Sequence, residues 1–286
     1  MSPTPSACGQ GTAWHVASRR ASAGWGGKVF DGSSVVGDVL GSPLFTPAPF
    51  DTGTTQYVDA MRRAEFWDEL RESDYHLLLD PELRPVETVT VPTGVGQAGT
   101  TVFGAPAARV SGPWLNAVTE RLASTRSIDP QSLVVFLTRD VLLFDAAGCC
   151  RGGFHGVVTG SYEGNGAQPV TTYLVASWYT PGGFRFSDTT VLSHELAEWA
   201  DDPFGTNRVD PWISPLPLAR SAYGCYGFLE VGDPTIDVEF SVDGIHHLQD
   251  STFFSWFARE APSGIDGRYT YTGAITNPAS RCMNPA

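Results

Sequence analysis

The residues of this chain best placed to do chemistry run from His194 to Glu198, His-Glu-Leu-Ala-Glu. On a helix, positions i and i+4 stand one turn apart on the same face, so His194 and Glu198 can approach one metal ion together. Glu195 lies about 100° further round the helix, within reach of a water on that metal. The arrangement is that of the His-Glu-x-x-His helix of zinc peptidases, with a glutamate in place of the second histidine. A carboxylate oxygen is a legitimate zinc ligand, and three protein ligands plus a water form a catalytic site. Zinc would polarise a carbonyl and acidify its water. Glu195 would take that proton and deliver it to a leaving amine. The pentapeptide also fits an ordinary amphipathic helix, with Leu192, Leu196 and Ala200 buried and the acids facing water.

A third ligand is expected downstream, in Glu230-Val231-Gly232-Asp233. Glu230 is the chosen ligand, and Asp233 is read as holding a ligand or the fold around it. Asp233 also suits plain turn chemistry before Pro234. Asp201-Asp202-Pro203 ends the helix, and acids there oppose the helix dipole. They therefore call for a local partner, a cation or a backbone donor. His155, in Gly152-Gly153-Phe154-His155-Gly156, is a candidate catalytic residue that would polarise a carbonyl or stabilise an oxyanion; a loop histidine with a local hydrogen bond is the other reading. Of His246 and His247, in a strand-like stretch, at most one can point inward. Cys225 as a nucleophile lacks a histidine base nearby.

The elements that must position these residues are legible in outline. Residues 1–30 read as a poorly ordered tail, followed by one domain over 31–286. An amphipathic helix is expected over 55–72. Tyr75–Leu79 and Val86–Val91 read as strands split by Asp80-Pro81. Pro113–Ser124 reads as a helix with proline in its first turn. Leu133–Leu137 and Val141–Phe144 read as buried strands, and the glycine-rich stretch 148–166 as a long loop. Thr171–Tyr179 is the best strand by β-branched and aromatic content, expected at the sheet edge over the cleft, where an extended substrate could pair with it. The site helix is expected over about 189–202, capped by Ser187 or Asp188 and stopped by Pro203.

Composition narrows the partners. The chain has 286 residues, enough for a proper core, and a formal net charge of −13. Lys28 is its single lysine. Such a chain has no basic footprint for nucleic acid or for an anionic membrane surface. The acidity suits a cation-collecting site and equally a solvated acidic surface. No apolar run of about 18 residues is present, so no transmembrane helix is expected. The five cysteines form no Cys-x-x-Cys pair, which argues against a thiolate zinc cluster. Cys225 and Cys282 could bridge, whereas the vicinal Cys149-Cys150 is not expected to bridge to itself. The low-lysine, Gly/Ser/Thr/Pro-rich composition leans towards an exported protein, but residues 1–30 carry no apolar signal core, which keeps a cytoplasmic location as the alternative.

The string Ser193-His194-Glu195-Leu196-Ala197-Glu198, with Asp202-Pro203 and then Glu230-Val231-Gly232-Asp233, resembles the bacterial zincin-like proteins related to the plant phosphate-induced EXORDIUM proteins. Those often read S-H-E-[LI]-x-E-x-x-T-D-P and then E-[IV]-G-D. Gly153-Phe154-His155 resembles their C-G-[YW]-H segment; Thr54–Ala60 and Gly244–Asp250 are also similar. The resemblance covers roughly residues 40–285 through a few short motifs. It implies an α+β, zincin-like single domain whose mixed sheet carries an active helix. Its bacterial members are mostly described as metallopeptidases, which implies zinc and a peptide or protein substrate. Plant members lack the His-Glu dyad and act in growth signalling, so a non-catalytic secreted binding protein is the alternative. Ala200-Asp201 stands where the family often has threonine, and no cysteine directly follows Asp233, which leaves the disulfide pattern open.

Overall fold

The computed structural model describes residues 30–125, 132–146, 148–159 and 170–282. Of the tail expected over 1–30, all but Phe30 lies outside the described residues. The fold is mixed α+β, with several small sheets and short helices. The single domain expected over 31–286 resolves into two compact units, each drawn from two stretches of chain. One comprises residues up to Val36 together with Leu83–Leu192; the other comprises Gly37–Glu82 and Ser193–Ala286. The boundary falls inside the site helix, between Leu192 and Ser193.

The first unit is built on two sheets. In one, Val170–Trp178 lies between Val134–Arg139, parallel to it, and Gly153–Thr159, antiparallel. The expected edge strand is therefore a central one. Leu174, Val175 and Ala176 are all buried, and burial on both faces gives a continuous apolar run where a half-exposed strand would alternate. The expected loop over 148–166 instead contains strands Gly148–Arg151 and Gly153–Thr159, because pairing with a neighbouring strand overrides the glycine content. Residues 160–166 lie outside the described residues. Cys149 and Cys150 are bridged to each other, against expectation. The second sheet runs Gly96–Thr100, Pro106–Ser111, Val141–Asp145, Gly148–Arg151. Helix Gly112–Thr125 brings Leu115 to a core of Ala108, Val110, Val141, Leu143 and Val175. The strands expected over 133–137 and 141–144 are present as Val134–Arg139 and Val141–Asp145. Val86–Val91 forms no strand: Val86 is 68% exposed, and Pro85 and Pro92 at its ends cannot donate to a ladder.

The second unit is richer in loops. The expected helix over 55–72 breaks at Phe66 into Tyr57–Glu65 and Trp67–Leu70. Tyr75–Leu79, expected as a strand, finds its hydrogen bonds in helix side chains instead. Arg63 donates to the Tyr75 carbonyl at 2.7 Å, Asp59 accepts from Leu77 N–H at 2.7 Å, and Gln56 meets both N–H and carbonyl of Leu79. Those side chains satisfy backbone groups that a ladder would otherwise have to satisfy. The core here is aromatic. Trp212 meets Trp256 at 5.6 Å and Phe257 at 5.9 Å between ring centres, edge-on, each pair adding about 0.5–1.5 kcal/mol beyond burial. Strand Arg208–Ile213 pairs with Tyr226–Phe228 on one side and Ser280–Arg281 on the other, and the Cys225–Cys282 bridge ties the outer two. A hairpin joins Glu239–Val242 to His246–Gln249. Among the described residues no helix is long and apolar enough to cross a membrane.

Candidate metal centre

The helix that carries the chemistry runs from Thr190 to Asp201. It begins just past the expected caps, with Asp188 accepting from Thr189 N–H, and stops before Pro203 as the sequence indicated. Both acids at its end have partners. Asp201 pairs with Arg62, which also donates to the Ala200 carbonyl, and Asp202 accepts from Asn207 N–H at 2.6 Å.

Burial separates the two readings of this helix. An amphipathic surface helix would turn its acids to water, yet Glu195 and Glu198 are each 4% exposed and His194 is 9% exposed. Buried charges persist only when they are paired, hydrogen-bonded or coordinated. The Glu198 carboxylate oxygen Oε2 stands 3.1 Å from His194 Nε2, one helical turn away as the spacing required. Asp233 brings its Oδ1 to 3.6 Å from the same nitrogen. In the second unit, His194, Glu198 and Asp233 are the described His, Cys, Asp and Glu residues whose ligand atoms gather within 4.8 Å.

The sequence placed Glu230 in this group and Asp233 behind it; in the structure the acid that gathers with His194 and Glu198 is Asp233. Val231 between them is fully buried in the core, and the chain then tightens into a 3-10 turn over Asp233–Thr235 that turns Asp233 towards the helix. Glu230 falls outside the group. His246 and His247 open the hairpin strand and do not join it. Cys225 is bridged, so it is no nucleophile. His155 belongs to the first unit, on Gly153–Thr159, where it pairs with Leu174.

The donor set could hold a divalent metal ion. Two donors each about 2.0–2.1 Å from a tetrahedral centre stand about 3.4 Å apart, and the observed separations of 3.1 and 3.6 Å bracket that figure. One nitrogen and two carboxylate oxygens are legitimate zinc ligands. The electrostatics point the same way. Burial, then the neighbouring Glu198, pushes the Asp233 carboxyl well above the usual carboxylate range, against the pull of His194 and of a hydrogen bond from Tyr223. Burial by itself would lower the His194 imidazole, but Glu198, Glu195 and Asp233 reverse this and hold it well above its ordinary value. The Asp233 carboxyl and the His194 imidazole thus both favour protons that a divalent cation can replace.

Two contributors escaped the sequence reading. Tyr223, last residue of helix Pro217–Tyr223, donates to Asp233, and burial followed by Asp233 and Glu198 raises its hydroxyl well above the usual range. Nothing in the local sequence marks it. Gln249 meets His194 Nδ1 at 3.0 Å; its one sequence signal is a polar residue in the run Leu248-Gln249-Asp250. No family model matches the chain, and no curated protein or solved structure matches it either.

Proposed function

We propose that this chain is a zinc-dependent hydrolase of the zincin kind that cleaves peptide or amide bonds in an exported setting. The observation that carries the reading is the buried convergence of His194 Nε2, Glu198 Oε2 and Asp233 Oδ1 on one point, with Glu195 beside it on the helix. These three residues would hold the ion. Bound there, zinc supplies a Lewis acid that polarises a substrate carbonyl and acidifies a water. Glu195 would take a proton from the water as its oxygen bonds the carbonyl carbon, and would pass that proton to the leaving nitrogen as the C–N bond breaks. Tyr223 keeps its proton, by virtue of its raised hydroxyl, and holds Asp233 in place. The Cys225–Cys282 bridge supports an oxidising compartment, and the formal charge of −13 argues against nucleic acid as partner.

The test is Glu195→Gln. It is expected to retain zinc by elemental analysis and to lose about 10²–10⁴-fold in turnover on a peptide library, the size of a general acid–base contribution. Undiminished hydrolysis in that variant sinks the mechanism. Stoichiometric zinc with no cleavage by either form favours a non-catalytic binding protein.

A further inference from the structure

We propose that Gln249 is the positioning residue of this site: together with the Gly232 backbone it fixes the tautomer of His194 and the aim of both helix ligands. The inference rests on the metal-site reading above. The Gln249 side chain is buried, and its Nε2 lies 2.6 Å from the Gly232 carbonyl while its Oε1 lies 3.0 Å from His194 Nδ1. Only this amide orientation works, because a carbonyl oxygen can accept only from N–H, and the flipped amide would set two oxygens against each other. Gln249 Oε1 is therefore an acceptor, so His194 Nδ1 must carry a proton. In the neutral ring that leaves the lone pair on Nε2, the atom facing Glu198 and Asp233.

Gly232 does two further things. Its N–H donates to Glu198 Oε1 at 3.3 Å, leaving Oε2 for the ion, so one peptide segment steers both helix ligands. It also lies against the imidazole: a Cβ at 232 would stand 2.5 Å from His194 Nδ1, closer than atoms pack. Gln249 is itself gripped by its backbone. Its N–H donates to Ser193 Oγ at 2.8 Å and its carbonyl accepts from the Tyr57 hydroxyl at 2.8 Å. Hydrogen bonds of this kind to the distal nitrogen of a metal-bound histidine are worth about 10–100-fold in metal affinity.

The experiment uses the full chain. In metal-free, ¹⁵N-histidine-labelled protein, held at a pH high enough for the His194 ring to be neutral, His194 should give a slowly exchanging Nδ1–H resonance that persists in Gln249→Glu, which keeps the acceptor, and vanishes in Gln249→Leu. Zinc affinity, measured by competition with a chromophoric chelator, should fall about 10–100-fold in Gln249→Leu and by a smaller factor in Gln249→Glu, which keeps the acceptor for Nδ1 but loses the donor to the Gly232 carbonyl. Folded Gln249→Leu with wild-type affinity overturns the proposal, as does a wild-type imidazole with Nδ1 unprotonated. If Gln249→Leu fails to fold, the wild-type resonance and the Gln249→Glu affinity decide. A wild type that takes up no zinc refutes the hydrolase reading, and the Nδ1–H resonance then decides the clamp alone.

Discussion

The two units bury different things. In the first, the core is aliphatic: Ala108, Val110, Leu115, Val141, Leu143 and Val175 pack between sheets and helix, and its buried acids are Asp140 and Asp188 among the described residues. In the second, the buried set includes Asp59, Glu65, His194, Glu195, Glu198, Asp202, Asp233 and Asp250. Several of these do structural work. Asp250 accepts from Thr272 through both N–H and hydroxyl; Glu65 takes the Phe254 N–H and pairs with Arg62. At His194, Glu198 and Asp233 the buried groups also face one another, with His194 Nε2 3.1 Å from Glu198 Oε2 and 3.6 Å from Asp233 Oδ1. This cluster gathers like charges where packing would gain more from apolar side chains, and proteins depart from that rule mainly at functional sites. The difference separates a unit held by apolar burial from one whose interior is arranged around charge.

Leu143→Ala should produce the largest loss of stability, about 2–5 kcal/mol in chemical denaturation, since Leu143 is 2% exposed and its removal leaves a cavity in an aliphatic core. A loss below 1 kcal/mol would blur the contrast. The second unit should answer to pH instead. Burial raises the Glu65 carboxyl from 4.5 to about 7, against the pull of Arg62 and the Phe254 N–H. A raised folded value means that the stability Glu65 contributes is present in full below pH 4.5 and lost as pH rises through about 7. Asp250, raised from 3.8 to about 6 by burial, carries the same sign. Glu65→Gln should therefore gain on the wild type by up to about 3 kcal/mol between pH 4.5 and 8. A stability difference that does not vary with pH would contradict this. The smallest effect is expected at Val86→Ser. That side chain is 68% exposed and lies outside any helix or strand, so denaturation should move by less than about 0.5 kcal/mol; a larger loss would mean that the Val86 side chain packs against something.

The sequence foretold the site helix because its evidence was local: ligand spacing set by the helical period, and a stop set by proline. It also located the second carboxylate segment, but not which acid within it comes up to His194. That choice depends on Val231 seeking the core and on a 3-10 turn that starts after Gly232, both consequences of packing. Strand content in Val170–Trp178 was plain, yet its central place depended on partners on both sides. Tyr75–Leu79 has strand composition but meets Arg63, Asp59 and Gln56, a choice invisible to propensity. Gln249 lies far from His194 in sequence, and only folding brings its amide to the imidazole.

The central claim is that Asp233, with His194 and Glu198, completes a metal centre. Zinc affinity of Asp233→Ala and Glu230→Ala, measured side by side by chelator competition with folding checked by circular dichroism, tests it most directly. The account predicts that Asp233→Ala loses zinc by at least about 100-fold while Glu230→Ala stays near wild type. Loss of zinc from Glu230→Ala with retention in Asp233→Ala would contradict it.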